Sequence, residues 1–382
     1  MFRSTFSPAH PREQHAGGRL TIDLVALAGN WRTLRDLSQP AVCGACIKGD
    51  GYGIGLERAA DALWNAGCGT FFVALPEEGM RLREVLPGAT IYILNGLFRG
   101  AEADYREAKL IPVLGSPGEI EDWGRFARSI DQEQPAAIHV DTGMNRLGLT
   151  LDEAEAFSGV NMEPGVAPQL LVSHLACGDT PGHPLNLRQL EAFHRAKALF
   201  PDMPASLANS AGILSGPDYH FDLVRPGIAL YGGRAQAEGT NPMAPLVTLE
   251  ARVLQLRDVT PDETVGYGAV GRLDKPGRIA IVSVGYADGL LRGAGESDVS
   301  AGAAGWIAGH RVPYVGRVSM DLIALDVSSV PERIVERGSW IELFGPHVAI
   351  DEVARAAGTI GYELLTDLSR RYARRYVGLD LR

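Results

Sequence analysis

The sequence is poor in the features that mark several protein classes. Four cysteines in 382 residues cannot staple a disulfide scaffold, and no apolar run approaches the roughly 20 residues that cross a bilayer. Lys and Arg total 36 against 46 Asp and Glu, a net charge of −10 with no basic cluster, which excludes a nucleic-acid surface. No internal repeat or low-complexity tract is evident. Glycine is abundant, yet no three glycines around Gly49–Gly55 fit G-x-G-x-x-G, and Lys48-Gly49 lacks the Ser or Thr of a phosphate loop. Cys43 and Cys46 are spaced C-x-x-C but precede a lysine inside an apolar run, and Cys68 and Cys177 stand alone, so packing is expected and no metal site. Met1 to Gly18 hold no apolar core segment and read as a disordered leader, not a signal peptide. Without a targeting segment the expected compartment is the cytoplasm. What remains, 46% hydrophobic and 21% charged, describes a two-domain globular enzyme acting on a small molecule.

The chain is organised around Ala41-Val-Cys-Gly-Ala-Cys-Ile-Lys48-Gly-Asp-Gly-Tyr52-Gly-Ile-Gly55. A run of strand length delivers one lysine to its end and then gives way to alternating glycines. An amine at the tip of a buried strand can lose solvation and serve as a nucleophile or Schiff-base former, with backbone nearby free to approach a ligand. The plainer alternative for a Lys-Gly pair is a solvated loop lysine.

From Arg19 the pattern becomes periodic: Leu20 to Leu24 alternates as a strand, and Leu24 to Leu37 is helical in spacing. Further strands are expected at Thr70–Leu75, Thr90–Leu94, Leu110–Leu114, Ala136–Val140, Gln169–His174, Ala205–Ala208 and Asp222–Leu230, with helices such as Leu56–Leu63 and Glu77–Leu86 between them. With the lysine strand that makes eight strand–helix units, so an α/β fold with an N-terminal (β/α)8 TIM barrel is expected over residues 19–240, its first strand free to pair with the following domain. Lys48, His139, Arg146, His174, Asn209, Ser210 and Arg225 all fall at or beyond strand C-termini, the face on which such barrels build active sites. After a linker at Pro242–Pro245, a mainly β domain is expected over 241–382, with strands at Val247–Val259, Arg278–Ala287, Trp306–Ala308, Tyr314–Val327 and Trp340–Phe344. Helical segments at Ile350–Ala357 and Tyr362–Arg374 close it.

Ile47-Lys48-Gly-Asp-Gly-Tyr52-Gly-Ile-Gly resembles the pyridoxal-phosphate (PLP) lysine motif of alanine racemases, V-K-A-N-A-Y-G-H-G, with Gly49, Asp50, Gly51 and Ile54 as departures. In the same order from about Arg19 to Val377, further segments resemble that family's V-D-T-G-M-x-R-x-G (Val140 to Gly148), H-F-A (His174-Leu-Ala) and N-S-A-G (Asn209 to Gly212). So do R-P-G-I-A-L-Y-G (Arg225 to Gly232), V-S-Y-G (Val265-Gly-Tyr267-Gly), G-Y-A-D-G (Gly285 to Gly289), S-M-D (Ser319-Met320-Asp321) and I-G-Y-E (Ile360 to Glu363).

The resemblance implies a PLP enzyme of fold type III, a homodimer with shared active sites that interconverts L- and D-alanine. Lys48 would carry the Schiff base and serve one face of the substrate. Tyr267 of the partner subunit would serve the other, its free pKa near 10 requiring surroundings that favour the phenolate. Tyr52, Ser210, Gly227, Ile228 and Tyr362 would supply hydroxyl and backbone donors to the phosphate, with Asn209 beside them. His174 would stack on the pyridine ring, and Arg225 would face its nitrogen and leave it unprotonated, weakening the electron sink and favouring proton exchange at Cα. Arg146 would support the phenolic oxygen and contact the substrate carboxylate, Met320 would offer its amide to that carboxylate, Tyr286 would line the entrance and Asp321 would support it. Where many relatives carry a carbamylated lysine beside the arginine, this chain has His139, which leaves the support of Arg146 to another group, such as an anion held by protonated His139. A broader serine or lysine racemase and a decarboxylase of the same barrel remain alternatives, although the decarboxylases place an acid where Arg225 stands. A non-catalytic PLP-binding barrel would lack the second domain. Cell-wall synthesis and catabolism are both open as purposes.

Overall fold

The structure, a computed structural model, describes residues 11–297 and 301–378. The expected leader lies outside the described residues as far as residue 10. Beyond it, Glu13–His15 form a turn of 3-10 helix and Ala16 is buried. The chain then enters β1 (Gly18–Asp23), whose alternate residues are buried. Two compact units emerge: Leu27–Ala244, and the N-terminal segment to Ala26 joined with Pro245 onward.

The first unit is a parallel barrel. Its strands are β2 (Val42–Cys43), β3 (Ala45–Cys46), β4 (Thr70–Val73), β5 (Thr90–Ile93), β6 (Ile111–Leu114), β7 (Gln134–His139), β8 (Val166–Val172), β9 (Ala205–Ser206) and β10 (Leu223–Val224). β3 to β9 pair side by side in sequence order, and β10 pairs with β2. The ring closes through Asp222 N on Ala205 O and Arg225 N on Ala208 O. β2 and β3 are one strand interrupted at Gly44. Strands covered on both faces need not alternate, and the four residues of β6 are all buried. The intervening helices carry apolar stripes and ordinary stops: Leu56–Ala66 buries Leu56, Ala59, Ala60 and Leu63 and ends at Gly67 in the left-handed region. Pro117–Ser129 is capped by Ser116 Oγ on the Glu119 amide. The eighth strand is shorter than expected. Ile228–Tyr231 is 3-10 helix between Gly227 and Gly232, because a segment buried on every side carries no period to separate strand from helix.

The second unit is a closed, mainly antiparallel sheet of β11 (Val247–Val259), β12 (Gly277–Val282), β13 (Ala304–Ile307), β14 (His310–Val315), β15 (Ile323–Asp326), β16 (Trp340–Phe344) and β17 (Ala373–Val377), with β1 among them. β1 pairs antiparallel with β11 and parallel with β17. β13 and β14 form a hairpin through Ala308 and Gly309, both at positive φ, the turn whose twist suits adjoining strands. Two expectations are corrected. Tyr314–Val327 is split by a turn at Gly316 (φ 71°) that carries Ser319-Met320-Asp321, and Tyr362–Arg374 is helix only over Gly361–Thr366 before the chain extends into β17.

Candidate active site

Lys48 follows β3 and opens a left-handed turn. Gly49, Asp50, Gly51 and Tyr52 all have φ between 51° and 65°. Four successive residues in this region form a turn of left-handed helix, closed by Gly51 N on Ile47 O at 2.9 Å and Gly53 N on Gly49 O at 2.8 Å. A side chain costs about 1–2 kcal/mol per residue there, so the alternating glycines make the turn affordable for Asp50 and Tyr52. Asp50 is held by Arg81 at 2.9 Å and itself accepts the Leu56 amide. The Glu78 carboxylate, 9% exposed, accepts Gly49 N at 2.6 Å and Asp50 N at 3.2 Å. Among the described residues, the partly buried Lys48 amine has no hydrogen bond or ion pair.

Around the same barrel end lie His139, the last residue of β7, and His174, just beyond β8. Arg225 follows β10 and is 3% exposed. Its Nη1 donates to Ser206 O at 2.7 Å and to Ser206 Oγ, and its Nη2 donates to Ser173 O at 2.5 Å. Burial lowers its pKa to about 10, which leaves it protonated at neutral pH. His174 is pushed well below the usual histidine range, first by burial and then by Arg225, Arg146 and Lys48. His139 is lowered to about 4, again first by burial and then by Arg225. A protonated His139 holding an anion for Arg146 is therefore corrected: the imidazole is neutral at pH 7. Arg146 lies in the exposed loop after β7. Asp141 accepts the Gly143, Met144 and Asn145 amides in that loop, while Arg146 has no hydrogen bond or ion pair among the described residues.

Lys48, Arg146 and Arg225 thus form a cationic group without a paired carboxylate among the described residues, an environment that favours an anionic ligand. Its floor has the donors such a ligand needs. Ser210 Oγ, 2% exposed, accepts Gly227 N at 2.8 Å and Ala229 N at 3.3 Å, which leaves its own hydrogen to donate. Asn209 fixes this turn by accepting Gly212 N at 2.9 Å. Tyr52 stacks on Tyr231 with centroids 4.4 Å apart, and a Cβ on Gly227 would collide with the Tyr52 hydroxyl. Only glycine permits that approach, and it brings the Tyr52 hydroxyl, Ser210 and the backbone entering Ile228 together. Cys43, Cys46 and Cys68 are buried, with thiols raised by burial, Cys68 to about 12, so they pack and do not react.

The other residues singled out in the sequence belong to the β unit. Tyr267 is 68% exposed, and Met320 and Tyr286 are also exposed. Tyr286 N on Ser319 O (3.0 Å) and Ala287 N on Met320 O (2.9 Å) join their two loops. Arg371 bridges Asp321 at 2.9 Å and Asp288 at 3.1 Å. Tyr362 is partly buried in the Gly361–Thr366 helix.

The family model for the alanine racemase N-terminal domain matches residues 22–235, and that for the C-terminal domain matches 246–376. The chain belongs to the alanine racemase family. An alanine racemase of Rhizobium meliloti is 48% identical over 375 residues, spanning 96% of this chain and 99% of the relative. One from Methylobacterium sp. strain 4-46 is 50% identical over 362 residues, spanning 94% and 98%. The crystal structure of alanine racemase from Bartonella henselae with covalently bound pyridoxal phosphate superimposes with a TM-score of 0.88 at 39% identity, covering 95% of this chain and 100% of that one. As a member of the alanine racemase family the chain is an amino-acid racemase, an isomerase. The departures from the family's lysine motif now have physical content: Gly49 and Gly51 relieve the left-handed turn, and Asp50 gains Arg81. Sequence reasoning passed over Glu78, Gln189 and Arg371. Gln189 is fully buried and holds the end of β8 by donating to His174 O and Thr142 Oγ1 and accepting Ala176 N. Only Glu78 left a signal, a glutamate at the third position of a helix opened by Pro76.

Proposed function

We propose that the chain interconverts L- and D-alanine with pyridoxal 5'-phosphate and two bases, Lys48 and Tyr267 of the partner subunit. The observation that carries the reading is the unpartnered Lys48 at a barrel-strand terminus beside Arg146, Arg225 and His174. The donor set fits the cofactor. Tyr52, Asn209, Ser210, Gly227 and Ile228 would hold its phosphate, with Tyr362 added by resemblance. Neutral His174 would lie against its ring, and Arg225, charged and anchored on carbonyls, would leave the ring nitrogen unprotonated. When bound, PLP withdraws electrons from the bond to the substrate Cα hydrogen and so acidifies it. The chain's own residues do the rest. Lys48 is the attachment amine and moves the Cα proton on one face. Arg146, free of other partners, holds anionic oxygen and the substrate carboxylate, and the Met320 amide contacts that carboxylate. Inversion needs a proton returned on the opposite face, which falls to Tyr267, exposed in the single chain and supplied in a homodimer by the partner. Tyr286 would line the entrance and Asp321, paired with Arg371, would steady Met320.

The test is racemisation across a panel of L-amino acids, with alanine turned over fastest. Serine or lysine as the preferred substrate would replace the alanine reading with that of a broader racemase, and carbon dioxide release would make the chain a decarboxylase. Lys48→Ala should abolish turnover and borohydride-fixed PLP, and Tyr267→Phe should lose turnover while still binding PLP. Mixing these two inactive variants should restore activity, because a heterodimer pairs one intact lysine with one intact tyrosine. If subunit exchange is verified and no activity returns, the shared site is refuted.

A further inference from the structure

We propose that Glu78 is the residue that positions Lys48, and the proposal rests on the reading of Lys48 as the reactive amine. One carboxylate spans two loops. Oε2 accepts Ala74 N at 2.9 Å and Leu75 N at 3.2 Å, the amides at the start of its own helix, Pro76–Val85. Oε1 accepts Gly49 N at 2.6 Å and Asp50 N at 3.2 Å, the two amides that follow Lys48. Glu78 makes no ion pair among the described residues, so four N–H groups balance its charge.

An ordinary helix N-terminal carboxylate accounts for the Oε2 bonds alone. The Oε1 bonds reach 28 and 29 residues back along the chain and satisfy the amides that open the left-handed turn, which have no partner within so short a turn. That turn strains Asp50 and Tyr52 and is too short to hold itself. One turn further along the same helix, Arg81 takes Asp50 at 2.9 Å and Glu57 at 2.7 Å, so Pro76–Val85 grips the lysine turn at two points.

The barrel repeats the device, which supplies a control. Glu119 stands at the same position of helix Pro117–Ser129, accepts Gly115 N at 2.8 Å in its own loop and Leu97 N at 2.9 Å in the preceding one. Both glutamates staple consecutive strand–helix loops, and only that of Glu78 carries the lysine.

Glu78→Gln keeps the shape but turns one acceptor oxygen into a donor, so two of the four amides lose their partner. The experiment compares Glu78→Gln and Glu119→Gln as PLP-loaded enzymes, reading alanine kcat and KM, deuterium uptake of the peptide spanning residues 48–55, and Tm. Glu78→Gln should lower kcat by about 10–100-fold with KM little changed, since a misplacement of about 1 Å has that effect, and should speed exchange in that peptide. Glu119→Gln should lower Tm comparably while leaving kcat and that peptide unaffected. Should Glu78→Gln fail to fold, Glu78→Asp, which keeps the charge on a shorter arm, is read the same way. Equal kcat losses in both variants, or unchanged kcat and exchange in Glu78→Gln, would reduce Glu78 to a fold staple. Borohydride-fixed PLP persisting in Lys48→Ala would instead overturn the reading of Lys48, and the exchange result would still report whether Glu78 holds the turn.

Discussion

Arg225 donates from Nη2 to the carbonyl oxygen of Ser173 at 2.5 Å, so a guanidinium buried in the barrel is held by strand-end carbonyls and not by a carboxylate. Ser173 is in turn bonded through Oγ to Thr142 Oγ1 at 2.8 Å, and Thr142 to Gln189 at 3.2 Å. The cation is thereby fixed in place, with no carboxylate paired to it among the described residues.

Arg225→Lys should therefore fail although it preserves charge. A single ammonium cannot reproduce the fork that reaches both Ser173 and Ser206, and a stranded buried carbonyl costs about 1–3 kcal/mol. The expected outcome is a Tm lower by several degrees and a large loss of kcat, read by calorimetry and racemase assay. A variant as stable and as active as the parent would contradict the anchoring role.

Gly51→Ala should destabilise by about 1–2 kcal/mol, because φ is 64° there and the new Cβ would lie 3.3 Å from that of Ala59. Gly29→Ala, inside the helix Leu24–Ser38 with nothing within 4 Å, should instead stabilise by roughly 0.5–1 kcal/mol. Urea midpoints of opposite sign would confirm that backbone conformation, not glycine as such, sets the outcome.

His139 titrates near 4 in the folded chain against 6.5 for a free histidine, with burial the main cause and Arg225 next. The unfolded chain therefore binds the extra proton first. Stability from this group is complete above about pH 6.5, falls as pH drops from 6.5 toward 4 and then levels, with His174 acting in the same direction. His139→Asn should flatten the slope of Tm against pH in that window; an unchanged slope would mean that His139 is charged in the fold. Because His139 cannot be carbamylated, depletion of carbon dioxide should leave racemisation unaltered, and rescue by bicarbonate would count against this.

Arg371→Ala should cost about 1–2 kcal/mol: Asp288, 4% exposed, loses its cation but keeps the Gly285 amide, and the half-exposed Arg371 leaves the pair partly screened by solvent. Arg371→Ala with Asp288→Asn should recover much of the loss, and a double variant no better than the single one would show that the ion pair is not the origin.

By itself the sequence determined what a chain can encode locally. Eight apolar segments separated by helices required parallel pairing, and Lys48, His139, His174, Asn209 and Arg225 fall at or just beyond strand C-termini, the face on which such barrels build sites. The tertiary structure decided what depends on partners distant in the chain. Ile228–Tyr231 reads as strand because an apolar run buried on all sides has no period, and packing around Gly227 bends it. Tyr314–Val327 reads as one strand because strand-like residues flank a short segment on both sides, and the turn at Gly316 breaks it and leaves Met320 and Asp321 exposed. Protonation belongs there too: His139 is neutral because it is buried near Arg225, a residue far along the sequence. So does Glu78, which looks like an ordinary helix-start glutamate until the barrel brings the amides of Gly49 and Asp50 to its carboxylate. Hydrophobic period and turn chemistry are written in neighbouring residues, whereas burial, charge coupling and the destination of a backbone N–H exist only once the strands have closed into a ring.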